Sequence, residues 1–254
     1  MFSLKNKKAV ITGAGSGIGK AIALLLAQHG AQVHLIDVNE QQGNSTIAEI
    51  KQNGGIAMLH ICDVSNQQAV LNTFKNIGPI NILVNNAGIA HIGKADTTSE
   101  IDFDRVINVI VKGTYNCVFA AIPQLRANGG GAILNISSVA ALVGIVDRFA
   151  YSTAKGAVRS MTMSIAKDYL PDNIRCNSIS PARVHTPFVD GFLEKNYPDN
   201  KEEMFDKLSK TQPIGRMATS QEIATLSLYL CSDEAAFITG VDYPIDGGFT
   251  TLNN

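Results

Sequence analysis

Long runs of one character are missing from this sequence. No cluster of five or six like charges occurs, the formal net charge is −1 and charged residues make up only 17%, where roughly 25% is usual. That excludes the electrostatic footprint of a nucleic-acid binder, so nucleic acid is not an expected partner. No stretch of 18 apolar residues is present, and the opening MFSLKNKKAVITG turns directly into an apolar strand without a signal-type cleavage region. The expected setting is the cytoplasm, with no membrane partner. The four cysteines, Cys62, Cys117, Cys176 and Cys231, stand 55 or more residues apart, with no C-x-x-C pair. They read as reduced core thiols, and with the histidines equally scattered no metal site is expected. A G-x-S-x-G elbow is also missing, which disfavours a serine hydrolase.

What is present is apolar and glycine-rich: 254 residues, 45% of them hydrophobic, with 22 glycines. One α/β domain over residues 1–254 is the expected organisation. Strand-like apolar runs at 7–12, 31–37, 55–64, 80–88, 131–137, 173–180 and 235–248 alternate with segments of helical period at about 17–30, 40–53, 66–77, 99–128, 151–170 and 220–232. Continuous apolar strands, each followed by a helix, predict one doubly wound parallel sheet of about seven strands covered on both faces, a three-layer, Rossmann-type α/β fold. Residues 182–219 break this rhythm: they are charged, hold three prolines and show no strand pattern. They begin where ligands meet the carboxyl ends of open α/β sheets, so they read as a substrate lid, with a helical surface insertion as the alternative.

The first strand runs into Thr12-Gly-Ala-Gly-Ser-Gly-Ile-Gly19. Glycines before a helix let the backbone approach a pyrophosphate, which the helix N-terminus then meets. The spacing is G-x-x-x-G-x-G rather than G-x-G-x-x-G, and it makes Gly13, Ser16, Gly17, Ile18 and Gly19 candidate cofactor contacts. The second strand ends in Asp37, 18 residues beyond Gly19. A carboxylate there accepts from a ribose 2′-hydroxyl and repels a 2′-phosphate, favouring NAD over NADP; the plain alternative is a cap for the helix near Glu40.

The strand GAILNIS ends at Ser137 and Ser138, and Tyr151-Ser-Thr-Ala-Lys155 follows. Tyrosine and lysine four apart share one helix face. A phenol titrates near pH 10, and an ammonium beside it favours the phenolate, so Tyr151 is the candidate general acid/base. Lys155 is its candidate activator and a ligand for the nicotinamide ribose, and Ser138 is the candidate partner of the substrate oxygen. A second pair, Tyr197 and Lys201, has the same spacing but no strand before it.

With Asp63-Val64, Asn85-Asn-Ala-Gly88, Asn108 and a closing Pro-Ile-Asp-Gly-Gly248, the chain resembles the short-chain dehydrogenase/reductases over essentially its whole length. The resemblance implies hydride transfer between nicotinamide and a carbonyl or secondary alcohol, on a Rossmann-type sheet. It implies that Asn108 holds a water linking Lys155 to a proton relay, and that Asp63 and Val64 meet the adenine. It further implies that Asn85, Asn86, Ala87 and Gly88 line the adenosine ribose, that Val184 and Thr186 contact the nicotinamide carboxamide, and that Pro181 belongs to the cofactor site. A homotetramer packed through the helices near 99–128 and 151–170 and the C-terminal strand is implied as well. The family's P-G-x-V-x-T reads Pro181-Ala-Arg-Val-His-Thr186 here.

The substrate wall is expected after Gly88, between Val139 and Arg148, and in the lid. His91, Arg148, Arg183, His185 and Phe188 are the candidate contacts, and several polar groups suit a small polar substrate such as a sugar or sugar acid. Two other readings stay open: a 3-oxoacyl-thioester reductase on the same scaffold, and a non-catalytic nucleotide sensor.

Overall fold

The computed structural model describes residues 1–252; residues 253 and 254, part of the expected domain of 1–254, lie outside the described residues. Seven strands form one sheet in the order β3-β2-β1-β4-β5-β6-β9, every neighbouring pair parallel. They are β1 (Lys8–Thr12), β2 (Gln32–Asp37), β3 (Ile56–Ile61), β4 (Ile82–Asn85), β5 (Gly131–Ile136), β6 (Ile174–Pro181) and β9 (Asp242–Ile245). The expected doubly wound, Rossmann-type sheet is therefore present.

The central strands are hidden on both faces, which is why they read as unbroken apolar runs. On one face, α1 (Gly17–Gln28), α2 (Glu40–Gln52) and α9 (Ser220–Cys231) enclose a core that includes Ile11, Ile22, Leu26, Val33, Ile50 and Leu228. On the other, α3 (Gln67–Ile77), α5 (Gly113–Ala127) and α6 (Phe149–Asp168) enclose Val10, Val70, Phe74, Leu83, Leu125 and Ile133. Burying each such side chain contributes about 1.5–3 kcal/mol. Helix starts follow the sequence: Asn39, Asn66 and Ser99 accept from backbone N–H groups of α2, α3 and α4 (Glu100–Ile107), and Thr219 forms a capping box with Glu222 on α9.

Three expectations change. The long helix of 99–128 is interrupted: α4 passes into a π-turn at Asn108–Lys112 before α5 begins. By length and apolarity this whole run, Glu100–Ala127, would pass for a membrane span, but it serves as a core helix, α5 lying against α3 and the sheet. The last strand is shorter than 235–248, because Ala235 and Ile238 are apolar for core packing around a 3-10 turn at Asp233–Ala235 rather than for a strand. Residues 182–219 do contain strand: β7 (Val184–His185) pairs in parallel with β8 (Ala218–Thr219), too short to leave an alternating pattern. Between them lie α7 (Pro187–Asn196) and α8 (Lys201–Ser209).

Candidate active site

Strand order reverses between β1 and β4, so their carboxyl ends part into a crevice, the usual ligand position of such sheets. The loop after β1 occupies it. Gly13 and Gly17 take positive φ of 64° and 54°, conformations that favour glycine. A Cβ on Gly19 would overlap the Gly13 carbonyl oxygen, so helix and loop approach as closely as backbones can. The loop is pinned from β4: Asn86 Nδ2 donates to the Thr12 and Gly13 carbonyls at 3.0 Å each, and the Asn86 and Ala87 N–H groups donate to Thr12 Oγ1. Ser16 is the N-cap of α1 yet makes no side-chain cap, and the first turn holds no acid. That N-terminus is therefore open to an anion, and the cradle fits a dinucleotide pyrophosphate.

Asp37 stands at the end of β2, its Oδ2 accepting from Gly15 N at 2.8 Å and its Oδ1 from Asn39 N at 2.9 Å. It braces the glycine loop, while Asn39 caps α2. The Asp63–Val64 turn is set against α5: Asn116, fully buried, donates from Nδ2 to the Val64 carbonyl at 2.8 Å. A Cβ on Gly113 would press on Val64 Cγ2 at 2.7 Å. Neither Asn116 nor Gly113 was singled out from sequence; the signal was a polar residue and a glycine on the apolar face of a core helix. Asn85 is buried and donates to Asn135 Oδ1 at 2.8 Å. Pro181 ends β6 and Val184 is buried in β7, while Thr186 lies beside Gly17, whose Cβ would come within 3.5 Å of it.

Ser138 follows β5 and Tyr151 lies in the first turn of α6, with the Ser138 hydroxyl accepting from Ala140 N and acting on the Tyr151 phenol. Burial pushes the Tyr151 phenol up, against the Ser138 hydrogen bond and the Arg148 charge, which pull it down. Lys155 is 5% exposed. Its Nζ donates to the Ile136 carbonyl at 2.7 Å and lies 5.8 Å from the centre of the Tyr151 ring. Burial lowers its titration from 10.5 to about 8. Lys155 is thus bonded to the strand end while its ammonium stays beside the Tyr151 ring, and the Arg148 charge adds to the pull on the phenol.

Asn108 does not join this group. It opens the π-turn, its side chain is exposed, and among the described residues it makes no side-chain hydrogen bond. Ile110, 1% exposed, faces inward instead: a Cβ on Gly88 would lie 3.7 Å from both Ile110 Cγ1 and Lys155 Nζ. An apolar side chain thus occupies the place beside Lys155 where a water-holding asparagine was expected.

Of the substrate candidates, Arg148, Arg183 and Phe188 line a cavity of about 70 Å³, together with Phe192, Met217 and Leu208 of the insertion. His185 turns outward, with Nε2 2.8 Å from Asp190 and its ring edge-on to Phe205. His91 is folded against α4, 3.9 Å from Asp102, with Nδ1 buried. Tyr197 packs on Phe192, and Lys201 pairs with Glu194, so the second Tyr/Lys pair is structural.

Hydride exchange with the carbon of an alcohol or ketone, with NAD(P) as partner, is the chemistry this class of fold and site performs. A family model described as enoyl-(acyl carrier protein) reductase matches residues 13–250. The chain is 39% identical over 251 residues to dehydrogenase/reductase SDR family member 6 of Xenopus laevis, covering 98% of this chain and 100% of that one. It is 36% identical over 253 residues to cyclohexanol dehydrogenase of Acinetobacter sp. strain SE19, covering 97% and 96%. Among solved structures, L-sorbose reductase from Gluconobacter frateurii, complexed with NADPH and L-sorbose, matches with a TM-score of 0.94 at 27% identity over 99% of each chain. The chain belongs to the short-chain dehydrogenase/reductase family.

Proposed function

We propose that this protein is an NAD-preferring dehydrogenase of a small polar secondary alcohol, in the sugar or sugar-acid range. The observation that carries the reading is the grouping of Ser138, Tyr151 and Lys155 at the carboxyl edge of the sheet, with Lys155 Nζ bonded to the end of β5 and 5.8 Å from the Tyr151 ring centre. The glycine loop and the α1 N-terminus would hold the pyrophosphate, Asp37 the adenosine ribose, Asp63 and Val64 the adenine, and Pro181, Val184 and Thr186 the carboxamide end. Bound there, the dinucleotide supplies the hydride acceptor. Ser138 donates to the substrate oxygen and stabilises its alkoxide-like charge. Tyr151 takes the hydroxyl proton, and the Arg148 charge helps it do so by favouring the phenolate. Preference for NAD rests on Asp37, whose carboxylate already accepts two backbone N–H groups and so stays where a 2′-phosphate would meet its charge.

The insertion supports a lid: Phe188, Val189 and Phe192 of α7 and Leu208 of α8 close over the cavity that Arg148 and Arg183 line. The assembly we expect is the homotetramer of the family, in the cytoplasm. A groove of about 980 Å³ between α3, α5 and α6 supports it. Tyr115 and Phe119 are exposed along that groove, and none of the site residues line it. The test of function is NAD reduction, followed by nicotinamide absorbance, across polyols, aldoses, sugar acids and 3-hydroxyacyl thioesters. Tyr151→Phe should lower turnover of the best substrate by at least about 100-fold while NADH still binds. Retained turnover would remove Tyr151 from the mechanism.

A further inference from the structure

The arginines of this chain divide into two groups. Arg105, Arg126, Arg159 and Arg216 each face a carboxylate, and Arg175 donates to the carbonyls of Leu230, Ser232 and Ile238. Arg148 and Arg183 face no carboxylate among the described residues and are barely bonded. Among the described residues, Arg148 has one bond, from Nη1 to the Asp147 carbonyl at 3.1 Å, and Arg183 has one, from Nε to Thr211 Oγ1 at 3.1 Å. Both are half-buried, and both line the same cavity of about 70 Å³, whose remaining wall is apolar. Burial first, and the Arg148 charge second, hold the Arg183 guanidinium below its usual range. Two cations held in one apolar hollow without a counter-charge repel each other, and a bound anion relieves both the repulsion and the unmade hydrogen bonds.

The backbone under Arg148 is arranged to keep it there. Asp147 has a φ of 58°, a left-handed conformation uncommon for a non-glycine residue, and its carbonyl is held in place by neighbouring backbone. The two segments form a short ladder in which Gly93 N donates to the Asp147 carbonyl at 3.0 Å and Phe149 N to the Gly93 carbonyl at 3.1 Å. Arg148 is then the N-cap of α6, three residues before Tyr151. Arg148 thus lines the cavity under the insertion together with Arg183, and its charge reaches both Arg183 and Tyr151.

We propose that the alcohol oxidised at Tyr151 carries a carboxylate, which Arg148 and Arg183 bind together under α7 and α8. This rests on the dehydrogenase reading above and narrows its substrate range to hydroxy acids. Guanidinium forks match a carboxylate through paired hydrogen bonds.

The experiment uses the full chain with NAD and a series of hydroxy acids of short aliphatic, cyclohexane and aldonate skeletons, each beside its methyl ester. The acid should exceed its ester in kcat/KM by at least about tenfold, chiefly through KM. That ratio should fall toward unity in Arg148→Gln and in Arg183→Gln. Wild-type turnover that favours the esters, or that ignores the difference, would overturn the proposal and leave the dehydrogenase reading standing. Where neither form turns over, calorimetric titration of the acids into NADH-loaded protein decides. Acid binding that Arg183→Gln abolishes supports the subsite, and no acid binding overturns it. Failure to load NADH at all would instead overturn the dehydrogenase reading.

Discussion

Replacing Lys155 by methionine should make this protein more stable and inactive at once. The ammonium lies 5% exposed, with one hydrogen bond to the Ile136 carbonyl and Ile110 near it. Burial lowers its titration from 10.5 to about 8. At about 1.4 kcal/mol per pH unit, holding the charge inside costs the folded state about 3 kcal/mol. Methionine fills a similar volume without the charge, and forfeits about 1 kcal/mol by leaving the Ile136 carbonyl unpaired. The variant should therefore gain about 2 kcal/mol near neutrality. The pH dependence gives the idea its sharpest check. Because the folded-state value lies below the unfolded one, the penalty is full below about pH 8. Between about 8 and 10.5 the unfolded chain holds more protons than the folded one, so wild-type stability rises through that window. Urea unfolding of both proteins at about pH 7 and about pH 10 should thus show the variant's advantage shrinking. A variant less stable than wild type at neutrality, or an advantage indifferent to pH, would refute the reasoning. Turnover should be lost throughout.

Two other substitutions test the cofactor cradle. Asp37→Ala removes the charge that would oppose a 2′-phosphate, and should raise the NADP-to-NAD ratio of kcat/KM by at least about tenfold; an unchanged ratio would show that the acid does not meet the ribose. Gly19→Ala drives a methyl into the Gly13 carbonyl and toward Asn86 Nδ2, so it should weaken NADH binding by at least about tenfold or unfold the loop. Fluorescence titration of NADH against circular dichroism of the same sample separates the two results, and wild-type affinity would contradict the close packing.

Much of this architecture is legible because the sheet is parallel and buried on both faces. Runs such as Ala9-Val-Ile11 and Ile82-Leu-Val84 have no solvent face to blur them. The glycine turn after β1 and the acid ending β2 stand out in the sequence because each lies at the end of an apolar strand, and the structure brings Asp37 onto Gly15 N. Asn108 was misplaced for a physical reason. It is the one polar residue in Asn108-Val-Ile-Val111, so motif counting selects it, but the π-turn sets which side chain points inward, and that is Ile110. A single wide turn leaves no mark in hydrophobic period. His91 and His185 illustrate another limit: a loop histidine reads the same whether it faces a substrate or a neighbouring aspartate, and here both have found aspartates. The ladder of β7 and β8 is only two residues deep, below the length at which alternation can register.

That small ladder has a consequence for how this protein can diversify. Val184 and His185 pair with Ala218 and Thr219, and Ala218 N donates to the Arg183 carbonyl, so both ends of the insertion are clasped at its root. Everything between the clasped ends is a closed loop, and the entropy of closing such a loop grows only slowly with its length. Residues 187–217 can therefore lengthen, shorten or exchange helices without altering the register of β6 or the turn that carries Tyr151. The insertion is a graftable cassette: transplanting it with its two clasp strands into a relative should carry substrate preference along, and leave the hydride chemistry of the recipient in place.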